Sequence, residues 1–248
     1  MNVSDPEFRI AGALVLPENE VQLWRLDLQA LAASENRWFQ LLSCDEQARA
    51  ARFIPKQARR HFVVTRGVLR TVLAAYLSTD PKTVLLQSSN NNKPSVGVPH
   101  ESDIRFNVAH SGEVALLAFA RGREVGVDVE AVRRDLNVDA IASRFFSPHE
   151  QKQLAAVAPD DKVEAFFRCW TRKEAYIKAK GTGLGLPLDQ FDVSVAAGSD
   201  NALLATRADQ DESACWSLRD IAVGPGYAGA LCVAGHNFRM RGWDGTQF

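Results

Sequence analysis

The chain has 248 residues, 46% of them hydrophobic, with 29 basic and 30 acidic side chains and a formal charge of −1. That length allows one large domain or two small ones around an ample core, and the composition is that of a soluble globular protein. The near-neutral balance excludes a general nucleic-acid binder, and no apolar run is long enough to span a bilayer.

Near the N-terminus the apolar run Ala11 to Leu16 is too short for a signal peptide and lacks a basic start. Val21 to Leu28 (VQLWRLDL) alternates apolar and polar residues as a strand does. Pro55 to Leu77 reads as a long helix turning Phe62, Leu69, Leu73 and Tyr76 inward. Strands are expected at Thr83 to Gln87, Ile104 to Val108 and Val114 to Ala120, followed by a turn at Arg121-Gly122-Arg123. That turn is the expected boundary between an N-terminal subdomain, 1–122, and a C-terminal one, 123–248.

The second half repeats the order of the first: a strand, helices, then three or four short strands. Ser43-Cys44-Asp45-Glu46-Gln47 and Ser147-Pro148-His149-Glu150-Gln151 both open as capped helices. At the same offset Phe62 falls on Phe166, which predicts a duplicated unit of two helices. The four cysteines (Cys44, Cys169, Cys215, Cys232) are scattered, with no metal spacing, and are expected as reduced thiols of a cytosolic protein.

The chemistry gathers in the second half. In Val125-Gly126-Val127-Asp128-Val129-Glu130 the valines share one face of a strand, and Gly126, Asp128 and Glu130 share the other, directed into a cleft. About forty residues later Trp170 to Gly181 is helical, and Glu174 and Lys178 lie one turn apart on one face. Three carboxylates and a lysine so arranged suit a magnesium-bound pyrophosphate, because magnesium takes a few hard oxygens and completes its shell with phosphate and water.

Gly126-Val127-Asp128, followed by Trp170-Thr171-Arg172-Lys173-Glu174-Ala175-Tyr176-Ile177-Lys178, resembles the 4′-phosphopantetheinyl transferases of the larger, surfactin-synthetase-activating (Sfp) type, with no position of the signature broken. The resemblance extends through Asn92-Lys93-Pro94, FNVAHSG (Phe106 to Gly112) and GLGLPLDQF (Gly183 to Phe191), and weakly to Pro225–Gly235. It implies an α/β (α+β) fold of two pseudo-twofold-related subdomains with the active cleft between them, in a monomer. It also implies transfer of the phosphopantetheine arm of coenzyme A to a serine of an apo acyl or peptidyl carrier protein, releasing 3′,5′-ADP.

Carried over residue by residue, Asp128, Glu130 and Glu174 match the magnesium ligands. Glu174 is also the expected general base, and Lys178 the neutraliser of phosphate charge. For coenzyme A the resemblance points to Arg49 at the 3′-phosphate, with Arg52, Arg59, Arg60 and Arg66 crowding the same region. It also points to Ser89 and Asn92 on the adenosine side, and to Lys93, Asn107, His110 and Lys173. Two positions depart from the family pattern: Asn92 stands for glycine, and Ala109 for a hydroxyl residue. Arg144, Phe145 and Phe146 form a candidate carrier-docking patch. The rival readings are a magnesium phosphoesterase, which would want a second cluster of acids or histidines that is missing, and a non-catalytic scaffold, for which a lost metal acid would have been the sign.

Overall fold

The structure is a computed structural model describing residues 14–88, 94–97, 102–199 and 201–245. The first half runs β1 (Glu20–Asp27), α1 (Leu28–Leu31), α2 (Glu35–Gln40), α3 (Cys44–Ala51), α4 (Lys56–Leu77), β2 (Leu86–Ser88), β3 (Pro94–Val96), β4 (Ile104–Ser111) and β5 (Val114–Arg121). The second runs β6 (Val125–Ala131), α5 (Val138–Phe145), α6 (Pro148–Ala155), α7 (Lys162–Lys180), β7 (Phe191–Val193), β8 (Leu203–Thr206), β9 (Trp216–Asp220), β10 (Tyr227–Ala234) and β11 (Arg239–Asp244).

Most expected elements form, and their ends have local causes. The first strand stops at Asp27 because its carboxylate caps α1, accepting from Ala30 N at 2.9 Å. The long helix ends where Ser78 takes the left-handed conformation, φ +52°. The strand expected from Thr83 is shorter: Asp80 caps a 3₁₀ turn over Pro81–Thr83, and pairing begins only at Leu86. Phe62, expected in the core, is only half-buried, whereas Leu69 and Leu73 are core residues.

The duplication is legible bond by bond. Ser43 Oγ accepts from Glu46 N at 3.3 Å, and Ser147 Oγ from Glu150 N at 3.2 Å. Gln47 Nε2 donates to Leu42 O and Phe39 O, as Gln151 Nε2 does to Phe146 O and Ser143 O, each acceptor at the same sequence offset. Glu46 is held by Arg70 at 2.6 Å and Glu150 by Lys173 at 2.5 Å. The sheets repeat too: β1-β5-β4 in one half and β6-β10-β9 in the other, both antiparallel.

One strand crosses over. β11 pairs parallel with β1 on the edge of the first half's sheet, where Trp243 stacks on Trp24 with centroids 5.0 Å apart. A split of the sequence at the 121–123 turn therefore does not describe which sheet the C-terminal strand joins.

Each half has its own core under its long helix, Leu69, Leu73, Leu117 and Phe119 in one, Phe166, Tyr176, Ala230 and Cys232 in the other. A third cluster joins the halves: Val125, Val127 and Val129 of β6 with Leu116, Ala118 and Ala120 of β5. Burying each valine or leucine stabilises this junction by roughly 1.5–3 kcal/mol. The valine face predicted from alternation thus packs against the other half. Among the described residues no helix is long and apolar enough to cross a membrane.

Candidate active site

The opposite face of β6 is not an open cleft wall; it lies against α7. A Cβ at Gly126 would sit 2.2 Å from Ala175 O and 2.3 Å from Ala179 N, so only glycine lets the helix backbone lie this close. That approach brings the helix face bearing Glu174 and Lys178 over Asp128. Lys178 Nζ donates to Asp128 Oδ1 at 2.6 Å. Asp128 is buried, and its Oδ2 has no hydrogen-bond partner among the described residues.

The electrostatics follow from that burial. Desolvation pushes the Asp128 carboxyl up to about 7; the Lys178 ammonium opposes this, and Glu130 and Glu174 add to it. Burial likewise raises Glu174, with Lys178 opposing and Glu130 reinforcing. Glu130 is placed from the other half: Ser111 Oγ, at the end of β4, donates to its Oε2 at 2.7 Å.

Among the described residues no three His, Cys, Asp or Glu side chains close on one point as a ready metal cage. The donor set nonetheless fits magnesium. All three side chains offer hard carboxylate oxygens, one of them buried with no partner among the described residues, and magnesium needs only one or two carboxylates beside phosphate and water. Lys178 meanwhile supplies the positive charge that Asp128 requires.

Two cavities meet beside these groups, and Pro94 and Val108 line both. The first, about 670 Å³, runs from Glu174, Lys178 and Asn107 along Phe145, Ile177, Leu186 and Leu188, an apolar trough with a charged end. The second, about 590 Å³, is basic and aromatic, lined by Arg49, Arg66, His61, His110 and Phe62. Both volumes suit small-molecule sites. The Arg49 and Arg66 guanidinium groups lie 5.1 and 5.7 Å from the Phe62 ring centre. Arg66 shares Glu46 with Arg70, so positive charge is in surplus at this end. The Thr65 hydroxyl, also on this wall, is buried with no partner among the described residues. Burial lowers the His110 imidazole pKa, as do the neighbouring His61 and Lys178, with Glu130 opposing.

The expected site residues thus divide. Asp128, Glu130, Glu174 and Lys178 come together, and Arg49 and His110 share the basic cavity. Among the crowding arginines Arg66 joins them, whereas Arg59 and Arg60 pair with Glu35 and Arg52 turns to Ala48 O. Asn107 lines the trough, but its Oδ1 is engaged with Val127 N at 2.9 Å, tying β4 to β6. Ser89, Asn92 and Lys93 lie outside the described residues.

Lys173 requires correction as a ligand contact. It is fully buried on the far side of α7, donating to Glu150 Oε1 at 2.5 Å and Phe191 O at 2.8 Å, with no surface to offer coenzyme A. The aromatic patch also divides, with Phe145 on the trough and Phe146 buried between Phe166 and Trp170. Sequence reasoning missed His61 and Thr65, for which helical periodicity through Phe62 was the available signal.

Comparison with known proteins identifies the family. A family model described as the 4′-phosphopantetheinyl transferase superfamily matches residues 124–232, and one described as 4′-phosphopantetheinyl transferase, N-terminal, matches residues 30–121. The chain is 34% identical over 231 residues to the 4′-phosphopantetheinyl transferase HetI of Nostoc sp., covering 93% of this chain and 94% of that one. It is 29% identical over 209 residues to the 4′-phosphopantetheinyl transferase Sfp of Bacillus subtilis, covering 84% and 89%. The chain belongs to the 4′-phosphopantetheinyl transferase superfamily, as the intact signature implied, and its α+β fold is the one expected of it.

Proposed function

We propose that this enzyme transfers the 4′-phosphopantetheine arm of coenzyme A to a serine of an apo acyl or peptidyl carrier protein, releasing 3′,5′-ADP, with magnesium held by Asp128, Glu130 and Glu174. The observation that carries this reading is the buried Asp128 carboxylate, held by Lys178 through Oδ1 and with no partner on Oδ2 among the described residues, while Glu174 and Lys178 line the charged end of the apolar trough. Coenzyme A has that polarity: a nucleotide 3′-phosphate for Arg49 and Arg66, a pyrophosphate for His110 and Lys178, and an uncharged arm for the trough. The first half then serves the nucleotide and the second supplies the acids. A bound magnesium would offset pyrophosphate charge as a Lewis acid.

In this reading the carrier serine oxygen attacks the phosphorus nearest the pantetheine. Its proton passes to Glu174, and the bond to the nucleotide phosphate breaks. Lys178 leaves Asp128 for the phosphate, where its charge counters that of the leaving group. Arg144 and Phe145 stand at the trough where an acidic carrier would dock. A site complete within one chain suits a monomer, and four free cysteines suit a reducing cytosol.

Intact-mass spectrometry of an apo carrier protein, incubated with the enzyme, coenzyme A and magnesium beside a chelator control, tests the proposal. A magnesium-dependent gain of one phosphopantetheine is expected. Hydrolysis of coenzyme A without transfer, or no reaction with any carrier type, would overturn it.

A further inference from the structure

Among the described residues Glu130 is the one proposed metal acid whose carboxylate is held from the other half of the molecule. Ser111 ends β4 and pairs with Val114 across the Gly112–Glu113 turn. Its hydroxyl does two things at once: it accepts from Ala131 N at 3.1 Å and spends its single proton on Glu130 Oε2 at 2.7 Å. A short hydrogen bond to a carboxylate is the stronger, more directional kind.

The turn that carries Ser111 is itself clasped. Tyr227, paired with Ala131 on the strand beside Glu130, reaches across so that its hydroxyl accepts from Glu113 N at 3.2 Å. Gly112 has φ +54°, and a Cβ there would lie 2.8 Å from the Tyr227 oxygen, so this position excludes side chains twice over. On the first-half side, Glu113 O accepts from Leu28 N at 2.8 Å, and its carboxylate meets His61 Nε2 at 3.1 Å in the wall of the basic cavity. The turn therefore has fixed contacts to β6, β10 and α4, and Ser111 is its contact to the acid.

We propose that Ser111 is a positioning residue that sets the orientation of the Glu130 carboxylate from the opposite half of the molecule. This rests on the metal reading above and adds to it a residue that touches neither metal nor substrate. Hydroxyl and amide partners of metal-binding carboxylates are typically worth 10–100-fold in metal affinity.

The test is a manganese titration of the full-length enzyme with coenzyme A, followed by loss of the free-ion electron paramagnetic resonance signal. Ser111→Ala is expected to weaken manganese about tenfold, and Ser111→Thr, which keeps the hydroxyl, to stay near wild type. In a Glu130→Ala background Ser111→Ala should cost nothing further, a coupling that a merely structural serine would not show. Wild-type affinity in Ser111→Ala, or an equal loss with and without Glu130, would overturn the inference and leave the metal site standing. Absence of manganese binding by the wild-type enzyme would overturn the metal reading and this inference together. Should Ser111→Ala not fold, Ser111→Cys, nearly isosteric and a poor donor, takes its place with the same expected loss.

Discussion

Lys178 Nζ lies 2.6 Å from Asp128 Oδ1, and the ammonium is the counter-charge of a carboxylate whose other oxygen is buried without a partner among the described residues. The pair ties the helix to the strand at the point where Gly126 lets them touch. It also leaves Asp128 poorly satisfied, because one ammonium replaces only part of the hydration that burial removes.

Stability in the absence of metal should respond to that deficit. Asp128 titrates at about 7 in the folded protein against an ordinary 3.8. Over that window the folded state keeps a proton the unfolded chain releases, so stability declines as pH rises through it, and the deficit is complete above it. Asp128→Asn should therefore raise the Tm of the metal-free protein at pH 8, by on the order of 5 °C, while transfer is lost. The gain should shrink toward pH 4. Thermal melts across this range check it; a Tm lowered equally at every pH would contradict it.

Gly126→Ala should damage fold and activity together. The added methyl would meet the α7 backbone at 2.2 Å, and backbone cannot step aside as a flexible side chain can. A loss of roughly 1–3 kcal/mol or more is expected in chemical denaturation. A fall in kcat should accompany it in the folded fraction, since Glu174 is displaced from Asp128. Unchanged kcat would show that the acids tolerate a wider gap.

Lys173→Met separates support from binding. Removing the ammonium strands Glu150, itself fully buried, and breaking such a pair costs about 3–5 kcal/mol. Denaturant titration should register that loss, while KM for coenzyme A in the folded enzyme stays within about twofold, as expected for a group outside the pocket. A raised KM with intact stability would return Lys173 to the ligand.

Arg49→Ala and Arg66→Ala should each raise KM for coenzyme A roughly tenfold, the worth of one charge-assisted hydrogen bond, and barely affect dephospho-coenzyme A. Equal losses with both substrates would mean that neither arginine reads the 3′-phosphate.

Much of this was legible in the chain. The capping boxes at Ser43 and Ser147 were readable because capping is local, a matter of residues three apart. Phe62 was misjudged because periodicity says which face of α4 is apolar, while the basic cavity cuts into that face. Lys173 was misjudged for a related reason. A signature preserves helix-anchoring residues as firmly as ligand-binding ones, and only burial beside Glu150 tells them apart.

The sequence by itself determined the family and the repeated halves, and it singled out Asp128, Glu130 and Glu174 as the acids to propose, since each is written in spacings of a few residues or in an offset that recurs. Only the tertiary structure decided that β11 returns to the first half's sheet, that Lys178 rests on Asp128, and that Ser111 and Tyr227 clasp the junction beside Glu130. Those contacts join residues far apart in the chain, and they form because burying the valine face of β6 against β5 brings the two halves together.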